Sequence, residues 1–158
     1  MLQTPLLTLL AVSVFTLSAP GQQKPDFSGR WTFSKAKSKL QLESLAGLER
    51  GTVRIEHREP RFKFERTFTV SGKDSTYSYE LTTDGREVAT GEGGQKHFSK
   101  LYWEGNSLVF ATRIVAPQGE ATNVVHYRLL DGGRALQAEE QFRGPRLKYD
   151  NLWVFEKQ

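Results

Sequence analysis

The residues best placed to do chemistry in this chain are an arginine on an otherwise apolar strand and an acid that can answer it. In FKFERTFTV, Phe62 to Val70, alternation puts Phe62, Phe64, Arg66, Phe68 and Val70 on one face. A guanidinium on such a face needs a partner, because burying an unpaired charge is expensive. Glu140 falls on an inward register with Leu136, Ala138 and Phe142. An internal Arg66–Glu140 pair is the more ordinary of two outcomes. The other is an anion or carbonyl of a bound molecule gripped by Arg66, helped by Arg86 at the Asp84-Gly85-Arg86 turn.

Other chemistries find little to work with. The chain has no cysteine, so disulfides, thiolate nucleophiles and acylated anchors are absent. Its three histidines are His57, His97 and His126. His57 shares a face with Val53 and Ile55 and reads as a core or rim histidine. His97 and His126 lack neighbours at metal-ligand spacing, so no metal and no cofactor is expected, and a haem with an axial histidine is the minor alternative. There is no Gly-x-Ser-x-Gly and no phosphate-cradling loop. Glu139 and Glu140 are adjacent and point to opposite faces of a strand, so they make no carboxylate dyad. The chain is read as a non-enzyme. Its net charge of +4 is spread among interleaved acids, as between Glu49 and Arg66, which is the pattern of solvated strands rather than a nucleic-acid platform.

The elements that must position these residues are short alternating runs: GRWTF, TVRIEH, FKFERTFTV, STYSYELT, REVAT, KHFSKLYW, SLVFATRIV, TNVVHYRLL, RALQAEEQF and RLKYDNLWVFE. Turn residues separate them, among them Ser71-Gly72, Asp84-Gly85, Gly93-Gly94 and Asp131-Gly132-Gly133. Strands at this spacing, with no room for crossover helices, predict an all-β, up-and-down antiparallel barrel of about ten strands. Ser34 to Glu49 breaks the rhythm. Rich in Lys, Leu, Ala and Glu, with Leu42, Leu45 and Leu48 recurring, it predicts a short helical lid between the first two strands.

The N-terminal stretch LQTPLLTLLAVSVFTLSA carries no charge and is short for a membrane span. It reads as a signal peptide over residues 1–21, cut between Ala19 and Gly21, with a signal anchor as the alternative. One domain, residues 22–158, remains, expected to be secreted or periplasmic, monomeric and without a stable membrane span.

These features together resemble the calycins, and the fatty-acid-binding proteins more than the lipocalins. The resemblance rests on Phe27, Gly29 and Trp31 at the opening, the lid position, the ten-strand meander, Asp84-Gly85-Arg86 at the middle turn, and Trp153, Phe155, Glu156 and Lys157 at the end. Many such proteins hold a ligand carboxylate with two arginines and a tyrosine. The corresponding positions here are Tyr127, Trp153 and Phe155, so the resemblance implies a barrel without that clamp.

A barrel of this width need not be filled by its own side chains. The expected ligand-binding residues are Arg66, Arg86, Phe64, Tyr77, Tyr79, Phe110, Tyr127, Trp153 and Phe155. The function they predict is non-catalytic binding of a small hydrophobic or amphipathic, lipid-like molecule. The alternative is an exported interaction or structural barrel whose aromatic residues fill the interior completely.

Overall fold

The computed structural model describes residues 23–158, so the expected signal peptide lies outside the described residues. Ten strands make one antiparallel sheet: β1 (Gly29–Phe33), β2 (Leu48–Arg58), β3 (Arg61–Val70), β4 (Lys73–Thr82), β5 (Val88–Glu92), β6 (Gln95–Glu104), β7 (Ser107–Ala116), β8 (Gly119–Leu130), β9 (Ala135–Arg143) and β10 (Lys148–Lys157). The hydrogen-bonded order is β4-β3-β2-β1-β10-β9-β8-β7-β6-β5. Every neighbour is consecutive in sequence except β1 and β10, whose pairing joins the two ends of the chain. The expected all-β meander is therefore the observed fold, curled into a nearly closed barrel with β4 and β5 as its edges.

Alternation sets the register. Val53 stands opposite Arg66, Ile55 opposite Phe64 and His57 opposite Phe62, while Arg66 and Phe64 stand opposite Tyr77 and Tyr79 on the next strand. All of these side chains belong to the inner face, as the period-two pattern requires.

One end of the barrel is solid. Phe27, Trp31, Phe62, Leu101 and Leu108 are completely buried there, each contributing about 2 kcal/mol of apolar burial. The Gly-x-Trp opening has a physical reason. Gly29 sits at φ +142°, a conformation open to glycine, and this lets the chain pass from the Phe27 plug into β1. Trp31 then turns inward and donates its indole N–H to the Phe27 carbonyl at 3.2 Å. His57 is a core histidine: Nδ1 accepts the Phe27 N–H at 3.3 Å, and Nε2 bonds Glu59 at 3.0 Å. The β4–β5 connection is fastened at this same end, where Gly85 N–H donates to Leu101 O at 2.8 Å. Further along, β4 and β5 part.

The helical lid is not found. Between β1 and β2 the chain makes one tight turn after Ser34, a bridge from Lys39 to Leu152, and a single 3-10 turn at Glu43–Leu45. Side chains supply the reason. Ser38 Oγ donates to Ser34 O at 2.7 Å and accepts Val154 N–H at 2.9 Å. Asn151 Oδ1 accepts Gln41 N–H at 2.8 Å, and Gln41 Oε1 accepts Asp150 N–H at 2.9 Å. Polar side chains that satisfy backbone groups in extended form compete with helix, and here β10 offers a ready edge. Leu40 and Leu45 still pack on the core, but as parts of a strap along β10.

Candidate functional site

The other half of the barrel holds a cavity of about 290 Å³, near the small end of the range for ligand sites. Its floor is an aromatic stack. Tyr79 lies between Phe64 and Phe110, with ring centroids 5.0 Å and 4.5 Å away and planes within 17°. Trp153 stacks on Phe68 at 5.0 Å, and Phe155 follows it at 6.3 Å. Of the residues expected from the sequence, Arg66, Phe64, Tyr77, Tyr79, Phe110, Tyr127, Trp153 and Phe155 meet on this wall. Arg86 does not. It is exposed on the β4–β5 turn, where its guanidinium bonds Asp84 at 3.4 Å. A turn residue two positions from an acid finds a local partner before it can reach inside.

The Arg66–Glu140 pair favoured by the sequence does not form. Among the described residues Arg66 makes no ion pair. Its guanidinium lies over the Phe68 ring at 4.4 Å and the Tyr77 ring at 5.5 Å, a cation–π seat. Glu140 is taken by neutral donors instead. Its Oε2 accepts Trp153 Nε1–H at 2.8 Å and Asn151 Nδ2–H at 3.0 Å, and its Oε1 accepts Asn123 Nδ2–H at 3.3 Å. These donors come from β8 and β10, the strands either side of Glu140, whereas Arg66 on β3 is four strands away in the sheet. Adjacent strands win.

Three phenols feel the low-dielectric wall. Burial drives Tyr127 above its ordinary value and Tyr79 well above it. The Tyr127 hydroxyl adds to the rise at Tyr79 without reaching hydrogen-bonding geometry. Burial first, then the charge of Glu140, pushes Tyr149 up to about 12. Two polar atoms on the wall, Tyr79 Oη and Asn123 Oδ1, are buried with no protein partner. Each carries a desolvation cost of about 1–3 kcal/mol until something bonds it. Among the described residues no three His, Asp or Glu side chains converge to hold a metal ion.

No family model matches the sequence, and no curated protein matches it either. Solved structures do. A secretory abundant heat soluble protein 4 from Ramazzottius varieornatus superposes with a TM-score of 0.56 at 14% identity, covering 87% of this chain and 99% of that one. A brain fatty-acid-binding protein of Drosophila melanogaster gives 0.53 at 17% identity, over 83% and 99%. A zebrafish ileal bile acid-binding protein complexed with cholic acid gives 0.52 at 14%, over 84% and 98%. The fold is that of the fatty-acid-binding-protein-like β-barrels.

Within this barrel the inner face of β6 and the first residues of β8 and β10 were not read from the sequence, whereas Phe142 of β9 lies inward as its register implied. His97, Thr112, Asn123, Phe142 and Tyr149 also line the cavity. Parity carried the signal for two of them: Asn123 stands two residues before Val125, and Tyr149 four before Trp153. His97 had none, because KHFSKLYW places aromatic residues on both faces. Tyr77, Tyr79 and His97 also border a second hollow at the β4–β5 edge, so the cavity meets the barrel's open seam.

Proposed function

We propose that this protein is an exported, monomeric, non-catalytic carrier that holds a small apolar or amphipathic molecule in the open half of its barrel. The observation that carries this reading is the unpaired Arg66 guanidinium on an aromatic cavity wall. The half-buried cation has aromatic faces around it and no counter-ion, so a ligand anion or carbonyl supplies what the fold leaves out. Two of the three neighbours support the same reading, being a fatty-acid-binding protein and a bile acid-binding protein rather than enzymes. The open volume weighs against a barrel packed solid for purely structural use. Export rests on the uncharged residues 2–19.

Native mass spectrometry of the mature protein made in a secreting host, followed by organic extraction, tests the proposal. The expected result is a co-purifying small molecule that is released on unfolding and lost in Arg66→Ala. An empty protein that also ignores a panel of fluorescent lipid probes would sink the carrier reading.

A further inference from the structure

The Arg66 side of the cavity asks for an anion, but the opposite side asks for a different group. Glu140 accepts from each of its neighbours, and Asn123 turns its Nδ2–H toward it at 3.3 Å. That choice leaves Asn123 Oδ1 facing the other way, buried and without a partner. Glu140 Oε1 has accepted only that one long bond, while Oε2 has taken two shorter ones. The Tyr149 hydroxyl lies close enough to Glu140 to feel its charge and to offer it a hydrogen bond. Thr112, which pairs with Asn123 across β7 and β8, is engaged with Ser99 at 2.9 Å. The β8–β9 side of the cavity thus presents a carboxylate, Glu140, facing the same space as the Arg66 guanidinium, with Asn123 Oδ1 unbonded behind it.

Resting on the carrier reading above, we propose that the preferred ligand is an anionic amphiphile bearing a second, hydrogen-bond-donating group, an amine or a hydroxyl. Arg66 receives the anionic end, and Glu140 Oε1 receives the donor. A plain apolar acid satisfies Arg66 and then lays its tail over the Glu140 carboxylate without bonding it, which is costly. A donor at the far end turns that cost into a charge-assisted bond. The selectivity runs against simple hydrophobicity. In an all-apolar pocket a polar end weakens binding, whereas in this one it strengthens it.

Calorimetric titration of the wild-type protein with dodecanoate, ω-hydroxydodecanoate, ω-aminododecanoate and dodecylamine decides the matter, since the flexible chain lets both ends find their partners. The two ω-substituted acids are expected to bind about tenfold more tightly than dodecanoate. Glu140→Gln should erase the advantage that the amine gives over dodecanoate, while Arg66→Met should weaken all three acids relative to dodecylamine. Dodecanoate binding as tightly as its ω-substituted analogues would overturn this inference and leave the carrier reading standing. Failure of all four probes to bind would overturn both. The wild-type comparison does not depend on any variant folding.

Discussion

Gly51 shows how closely the cavity wall is built. It faces inward opposite Phe68, and a Cβ there would lie 2.8 Å from Phe68 Cε1 and 2.9 Å from Phe33 Cβ. Neither contact is tolerable for carbon. Both rings are also committed, because Phe68 stacks on Trp153 and seats Arg66, while Phe33 meets Trp153 edge-on at 5.9 Å. The missing side chain is what lets these rings close over β2. Gly51→Ala is therefore expected to lower stability by about 1–3 kcal/mol, the usual range for overpacking, and to disturb Arg66 through Phe68. Urea unfolding measures the first effect. A midpoint equal to wild type would mean that the rings have somewhere else to go and that the wall is looser than its contacts imply.

At the level of elements, the strap between β1 and β2 stands where a helix was expected, and Asn151 is its main fastening. Only 3% exposed, it accepts Gln41 N–H and donates to Glu140. Asn151→Ala removes both bonds, leaving a half-buried N–H of the strap and one carboxylate oxygen less well bonded, at a cost of about 1–3 kcal/mol. Amide exchange at Lys39 and Gln41 should accelerate while the β7–β8 ladder keeps its protection; unchanged strap exchange would show that Ser38 and Lys39 hold the segment alone. This element also marks where the sequence stops being legible. Strand order, inner parity and most of the aromatic wall follow from period-two alternation and from turns such as Ser71-Gly72, because those patterns are local. The strap depends on Asn151 and Leu152, more than a hundred residues away. Whether Arg66 meets Glu140 depends on which strands flank β9 after closure. Parity correctly put both on the inner face, but only the closed sheet brings Asn123, Asn151 and Trp153 to the acid first.

For the whole molecule, a barrel solid at one end and hollow at the other carries its tyrosines in surroundings that resist their ionisation. All of Tyr77, Tyr79, Tyr102, Tyr127 and Tyr149 have phenols raised above the ordinary value, with burial the first cause in each. The direction sets the pH dependence. Up to about pH 10 both folded and unfolded chains keep these protons, and the barrel holds its full stability. Above that the unfolded chain releases them first, so it binds fewer protons than the folded one and stability falls as pH rises. The loss should extend at least through the Tyr149 value of about 12, continuing beyond it for Tyr79 and Tyr127. Tyrosinate absorbance followed beside thermal unfolding from neutral to strongly alkaline pH reads both sides of this linkage. Ionisation of the phenols and loss of the folded barrel are expected to come together. If most phenols instead ionise at the unperturbed value while the barrel stays folded, water reaches the cavity floor freely, and the dry aromatic half on which the binding proposals rest does not exist.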